Sequence, residues 1–362
     1  MKYICFYLPQ FHEIPENNEW WGKGFTEWSS TKKAQKLYSG HMQPKEPLND
    51  NYYDLSRVET LEWQTKIAKE HGIYGFCFYH YWFNGKRLLE TPSINLLKNK
   101  HIDIPFCLSW ANEPWTRSWD GKIRDVIMPQ EYGGEVEWRE HFECIHEYFI
   151  DERYIKKDGK PLFVIYRPSG IDNCAKMLNY WTELAKGRGL DGIYYVETLT
   201  SFDNRFVEGF DASIEFEPMY TLKHHMNVPA NIKRFKNKIG MQVAEFFNLR
   251  TNAFLDKVDY ETIWKSIVGR KVRPRRNDHF LGSFVNWDNT ARKKRKGLVV
   301  TGFSLDKLAK FNKIQIERAQ EINSEFIFLN AWNEWAEGTY LEPDKENEFG
   351  YLEVLKDLTT ID

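Results

Sequence analysis

Residues 1–15 read Met1-Lys2-Tyr3-Ile4-Cys5-Phe6-Tyr7-Leu8-Pro9-Gln10-Phe11-His12-Glu13-Ile14-Pro15, an unbroken apolar run over Tyr3–Leu8 that ends in Pro-Gln-Phe-His. A continuous run, as opposed to an alternating one, is what a parallel strand covered on both faces requires. An open doubly wound sheet would follow this first strand with a Gly-rich phosphate loop, and the chain places Leu8-Pro9-Gln10-Phe11 there instead. Runs of the same kind recur at Ile73–Tyr79, Ile104–Trp110, Leu162–Tyr166, Gly192–Val196, Ala212–Phe216, Phe280–Val285 and Glu325–Ala331, so eight are present. Between the first two, Ser56 and Glu59 predict a capping box ahead of a helical face made by Val58, Leu61 and Ala68. Between the last two, Ser304 caps a face of Leu305, Leu308, Phe311, Ala319 and Ile322. Strand, helix, strand repeated eight times predicts an α/β fold, a single (β/α)8 TIM barrel over residues 1–362.

The uneven spacing of the runs locates the insertions. Residues 219–279 separate the sixth and seventh strands, too many for one crossover helix. The segment after the first strand holds WWGKGFTEW (20–28) and HMQPKEPL (41–48), Trp-, Gly- and Pro-rich loop material. Both insertions leave from carboxyl ends of strands, the face on which barrel enzymes build active sites.

Composition narrows the class. With 28% charged and 42% apolar residues among 362, disorder, collagen and coiled coil are excluded. A net charge of −2 gives no pull toward nucleic acid. Aromatics make up 16% of the chain, and Trp and Tyr, each a flat apolar face with a polar tip, suit the mixed surface of a sugar as well as a core. Met1–Pro15 has one Lys, an apolar run broken by Pro9, and no small-residue cleavage site, so it does not read as a signal peptide. No window approaches 18 uninterrupted apolar residues, so no transmembrane segment is expected. The five cysteines are odd in number, and Cys5, Cys77 and Cys107 sit inside apolar runs, which predicts buried free thiols and a cytoplasmic protein.

Carboxylates gather at the predicted strand ends: Glu113 in WANEPW, Glu197 in VET, Glu215 and Glu217 in EFEP, Asp288 in NWDNT, and Glu334 and Glu337 in NAWNEWAEG, with Arg167 in YRP. Breaking or making a glycosidic bond needs a proton donor at the bridging oxygen and a second carboxylate as base or nucleophile. Glu334 and Glu337 lie three apart in a turn ended by Gly338, between Trp332 and Trp335, and can point into one cavity. The competing reading is that one of them binds a substrate hydroxyl or pairs with Arg167. An Asn112-Glu113-Pro114 after a barrel strand resembles the acid and base site of many retaining glycosidases, although here it follows the third predicted strand, not the fourth. The ten histidines form no HExxH, and no GxSxG elbow exists, so neither a metal nor another cofactor is expected. Two basic runs, Arg270–Arg276 and Arg292–Lys296, read as solvated loops, the second with the alternative of meeting an anionic glycan or the diphosphate of a lipid-linked sugar.

The stretches YLPQFHEIPENNEWWGKGFTEW, YGFCFYHYWFNGKRLLE, CLSWANEPWTRSWDG and FLNAWNEWAEGTYLEPD together resemble the WbsX-like family, related to glycoside hydrolase family 99. The motifs run from the first strand to the last. The resemblance implies a (β/α)8 barrel, an association with bacterial surface polysaccharides such as O-antigen, and an endo-acting activity on α-mannosides. It also implies that Glu334 and Glu337 do the chemistry. The first would take the proton of the sugar's own 2-hydroxyl, which attacks the anomeric carbon to give a 1,2-anhydro sugar, while the second protonates the leaving group. Water then opens the epoxide with retention, one of the substrate-assisted exceptions to the two-carboxylate rule. Such attack needs a 2-hydroxyl opposite the leaving group, as in α-mannosides and α-rhamnosides. By position in the shared motifs, Tyr7, His12, Trp28, Tyr79, Trp82, Trp110, Asn112, Glu113, Asp288 and Trp332 are expected to line the substrate groove. The expected partner is an oligo- or polysaccharide, lipid-linked forms included. The family label leaves a glycosyltransferase as the alternative activity.

Overall fold

The computed structural model describes residues 1–117, 122–226, 228–247, 249 and 251–359. Eight parallel strands close on themselves: β1 (Lys2–Tyr7), β2 (Ile73–Phe83), β3 (Phe106–Trp110), β4 (Lys160–Ile165), β5 (Tyr194–Leu199), β6 (Ala212–Glu215), β7 (Asp278–Phe284) and β8 (Phe326–Asn330). Closure runs through β1, whose Cys5 sits opposite Leu329 of β8 on one side and Phe76 of β2 on the other. The barrel predicted from the apolar runs is therefore the fold, with long insertions after β1 and β6.

Inside the barrel the Phe6 ring lies 5.1 Å from Phe216, 5.7 Å from Tyr79 and 5.7 Å from Phe328, so β1, β2, β6 and β8 meet in one aromatic layer. Burying one such ring is worth about 2–3 kcal/mol. Gly282 of β7 approaches β6 so closely that a Cβ there would stand 1.8 Å from the Glu215 carbonyl oxygen, which leaves room for glycine alone. The outer layer is made by helices Val58–Glu70, Thr91–Lys98, Glu135–Phe149, Cys174–Gly187, Tyr260–Val268, Leu305–Glu321 and Gly350–Thr359. All five cysteines are free thiols, and all but Cys144 are buried.

Two local expectations change and one holds. The helix after β1 starts at Val58 with Arg57 at its cap and no side-chain cap bond; Ser56 instead donates its backbone N–H to Asp54, so an Asx turn has displaced the capping box. The Ser304 cap is present, its side chain accepting from the Lys307 N–H. Between β5 and β6 the chain makes no helix: residues 200–211 form a loop pinned by Asp203, which accepts from the backbone N–H of Ser169.

The segment after β6 carries helices Met219–His224, Val228–Phe246 and Tyr260–Val268, and a strand Asp256–Asp259 that pairs in parallel with Leu298–Thr301. Residues 227, 248 and 250 of the expected 219–279 insertion, and residues 118–121 of the stretch CLSWANEPWTRSWDG, lie outside the described residues.

Candidate active site

The chain leaving β8 folds at once into a small hairpin. Asn333 and Glu334 pair antiparallel with Tyr340 and Thr339 around a single turn of 3₁₀ helix, Trp335–Glu337, closed by Gly338 at φ +63°. Neighbours clamp this hairpin on every side. Asn333 accepts from the Leu8 N–H at 2.8 Å and donates to the Leu8 carbonyl at 2.9 Å. Trp335 stacks on Tyr340 at 3.8 Å and donates its indole N–H to the buried Glu342 at 2.6 Å. At the tip, the Glu337 carbonyl accepts from the Asp288 N–H at 2.7 Å, and a Cβ on Gly338 would meet that same nitrogen at 2.8 Å. Glu334 and Glu337 thus project from a rigid platform at the carboxyl end of the barrel.

Both acids converge on one cation. Arg292 places Nη1 2.6 Å from Glu337 Oε1 and Nη2 3.0 Å from Glu334 Oε2, and the same Nη2 lies 2.5 Å from Glu27 Oε1. Glu27 comes from the WWGKGFTEW segment and is fully buried. Three carboxylates around one guanidinium leave excess negative charge in a low-dielectric site. Burial first, then the charges of Glu337 and Glu27, push the Glu334 carboxyl up to about 8 against the pull of Arg292. Burial likewise raises Glu27.

Near Glu337, Arg167 Nη1 lies 2.7 Å from Glu113 Oε1. Burial raises Glu113 in spite of Arg167, and Glu337 adds to the effect. Asn112 fixes this pair, accepting from the Arg167 N–H at 2.7 Å and donating to its carbonyl at 2.8 Å. Tyr79 and Tyr81 of β2 and Tyr166 after β4 complete the lining. Burial raises all three hydroxyls, and the Glu334 charge raises each further.

The expected groove residues divide by the side of the sheet they face. Tyr79 and Glu113 stand beside Glu334 and Glu337. Tyr7, Trp82, Trp110 and Trp332 lie in the layer outside the sheet: Tyr7 donates to Gln64 of helix Val58–Glu70 at 2.6 Å, and Trp82 stacks on His141 at 4.8 Å. Trp110 packs against His141 at 4.5 Å, and Trp332 against Phe76 at 5.0 Å. Trp28 sits among Phe11, Tyr53 and Trp335 and backs the hairpin. His12 is buried, its imidazole pushed down by that burial. Asp288 is used up internally: against burial, hydrogen bonds from His41, Thr290 and Gln43 hold its carboxyl below the usual range.

The remaining strand-end acids are also spoken for. Glu197 is buried with Arg275, Arg276 and Ser213. Glu215 and Glu217 share Arg270. Against burial, the His279 hydrogen bond and the Arg270 charge hold Glu215 down to about 2. Both basic runs are therefore corrected in part: Arg270, Arg275, Arg276 and Arg292 are internal counter-ions for buried acids, while Lys271, Arg273 and Lys293–Lys296 are exposed. Arg292, Glu27, Tyr81 and Tyr166 were not singled out from sequence, although Glu27 lies within the Trp-rich motif and Arg292 opens a basic run. Among the described residues, no group of three His, Cys, Asp or Glu is arranged to hold a metal.

Residues 3–355 match the family model described as Glycosyltransferase WbsX. The WxcX protein of Xanthomonas campestris pv. campestris, described as uncharacterized, is 33% identical over 99% of this chain. The chain spans about half the length of such curated relatives, covering 49% of WxcX. Among solved structures, a glycoside hydrolase-like protein superposes with a TM-score of 0.59 at 13% identity, over 100% of this chain and 94% of that one. The GH99 endo-α-mannosidase of Bacteroides thetaiotaomicron gives 0.57 at 14% identity, over 99% and 95%. At these identities the structural likeness speaks for the fold.

Proposed function

The chain belongs to the WbsX glycosyltransferase family and has a glycoside hydrolase-like TIM barrel related to family 99, and from that premise we propose that it is a retaining glycosidase or transglycosidase. Its substrate is an α-manno- or α-rhamno-configured glycan of a bacterial surface polysaccharide, and residues 1–362 act as one catalytic barrel. The observation that carries the reading is the pair Glu334 and Glu337, presented by one clamped hairpin and joined through Arg292.

The chemistry follows from protons and position. The proton that Glu334 holds at rest passes to Glu337; Glu334, now ionised, takes the proton of the 2-hydroxyl, that oxygen forms a bond to the anomeric carbon as the bond to the leaving oxygen breaks, and Glu337 protonates the leaving oxygen. Water then adds to the anomeric carbon with both transfers reversed. A carboxyl lifted to about 8 is a strong base when ionised, which suits a weakly acidic hydroxyl. Arg292 stays bonded to both acids and steadies the charge that passes between them. Tyr79, Tyr81, Tyr166, Glu113 and Arg167 line the sugar site and exclude water from one side.

The test is a proton NMR time course with α-glycosyl fluorides of manno, rhamno, gluco and galacto configuration, each with and without an oligosaccharide acceptor. Release of the α-hemiacetal from the manno or rhamno fluoride alone supports the reading, and product formed only with acceptor identifies transfer. Glu334→Gln and Glu337→Gln should each abolish turnover while leaving glycan binding nearly intact. Retained turnover in both variants sinks the assignment. Turnover of a nucleotide-sugar donor in place of the fluorides would favour the activity in the family's name.

A further inference from the structure

Helix Val228–Phe246, in the segment between β6 and β7, turns its polar and small residues inward. Arg234 lies 3.0 Å from Asp256 and donates to the Leu222 carbonyl at 2.8 Å, and Asn237 donates to the Leu255 carbonyl. Gly240 sits against the Phe254 ring, and Ala244 is buried. The opposite face holds Ile232 at 50% exposure, Phe235 at 63%, Ile239 at 44%, Val243 at 50% and Phe246 at 81%, continued by Phe247 and Leu249 just past the helix. Steps of three and four residues keep these five side chains in one stripe about 80° wide, at about 100° per residue. A surface helix of a globular protein turns such a stripe toward its core, and here the arrangement is reversed. An exposed apolar patch of this extent marks an interaction site.

Charge selects the occupant. On the helical wheel the exposed Lys236 and Lys238 fall on opposite flanks of the stripe. Apart from Arg234, which is paired inward with Asp256, the helix sequence carries Lys233, Lys236 and Lys238 against the single acid Glu245. A second copy would bring two sets of flanking lysines together, which charge repulsion opposes. A bilayer with anionic headgroups takes both features at once: aliphatic and Phe side chains enter the acyl boundary, and the lysines stay in the headgroup layer. No helix among the described residues is long and apolar enough to cross a membrane, so the geometry is that of a helix lying on one. We propose that helix Val228–Phe246 binds the surface of an anionic phospholipid bilayer and holds the barrel there.

The experiment is cosedimentation of the full chain with vesicles of phosphatidylglycerol and phosphatidylethanolamine, against vesicles of phosphatidylcholine alone. Binding to the anionic vesicles is expected to fall about tenfold in Lys236→Glu/Lys238→Glu, and by a similar factor in Phe235→Ser/Ile239→Ser. It should also weaken as salt rises. All four positions are exposed, so thermal unfolding of both variants should match wild type and exclude misfolding as the cause. Equal binding to neutral and anionic vesicles, binding that survives both double variants, or no vesicle binding overturns the proposal. So does a concentration-dependent dimer in sedimentation velocity that Phe235→Ser/Ile239→Ser abolishes, since a second copy would then be the occupant.

Discussion

Replacing Glu334 by Gln separates the electrostatic argument from the catalytic one, because it predicts a gain in stability where activity is lost. The folded chain holds the Glu334 carboxyl at about 8, mainly through burial, whereas the unfolded chain returns it to its ordinary 4.5. Between those values the folded state binds the proton and the unfolded state does not, so stability falls as pH rises. Its contribution is fully present below about 4.5 and gone above about 8. At about 1.4 kcal/mol per pH unit, the loss across the window is roughly 5 kcal/mol, with about 3 kcal/mol already lost at pH 7. Gln keeps the size and polarity of the neutral carboxyl and cannot ionise, so the variant lacks this slope. For a chain of 362 residues, the midpoint of unfolding moves by about 1.3 °C per kcal/mol, so the Gln variant should gain about 6 °C relative to wild type between acid and mildly alkaline buffers. Differential scanning fluorimetry of both proteins across that range reads the difference directly, and other titrating groups largely cancel in the subtraction. A difference that stays flat with pH, or that narrows as pH rises, would refute the claim that Glu334 carries its proton at neutral pH.

Other consequences are open to simpler tests. If Glu334 is the base, kcat/KM on the reactive fluoride should climb with pH through about 8, since that profile reports the free enzyme; a profile that falls there would make Glu334 the acid. Arg292→Met strips the buried Glu27 of its cation and should cost about 3–5 kcal/mol in urea unfolding at pH 8 and less at pH 5, where the acids are protonated. Gly338→Ala adds a Cβ at φ +63° beside the Asp288 nitrogen, so a loss of at least about 1–2 kcal/mol and a large drop in turnover are expected, with glycan binding measured in parallel to show whether the hairpin has moved.

The sequence made the barrel legible because parallel strands buried on both faces are long apolar words, and each of the eight runs lies on a barrel strand. The same property hid the direction of the side chains. In a strand that is apolar throughout, alternation cannot be seen, so Trp82 and Trp110, facing the helical layer, looked no different from Tyr79 beside Glu334. One readable signal was passed over: Asn84-Gly85 makes a two-residue turn that carries β2 on to Phe83, paired with Lys86. Glu334 and Glu337 were legible because three residues set their spacing. Arg292 was not, because its partners Glu27 and Glu334 lie 265 and 42 residues away along the chain. Only closure of the barrel brings those segments together.

Burial does most to keep the proton on Glu334, and counting charge around the rim shows what its neighbours add. Glu197 meets two arginines, Arg275 and Arg276, and is more than neutralised. Glu215 and Glu217 share Arg270, with His279 as a further donor to Glu215. Glu113 pairs with Arg167. The group formed by Glu27, Glu334 and Glu337 has three carboxylates on one guanidinium, so full ionisation would leave two uncompensated charges in a buried site. A structural cluster is expected to balance, because imbalance costs stability and returns nothing. An unbalanced cluster on a clamped hairpin, beside Tyr79, Tyr81 and Tyr166, is what a site needs if it is to hold a proton at rest and pass it during reaction.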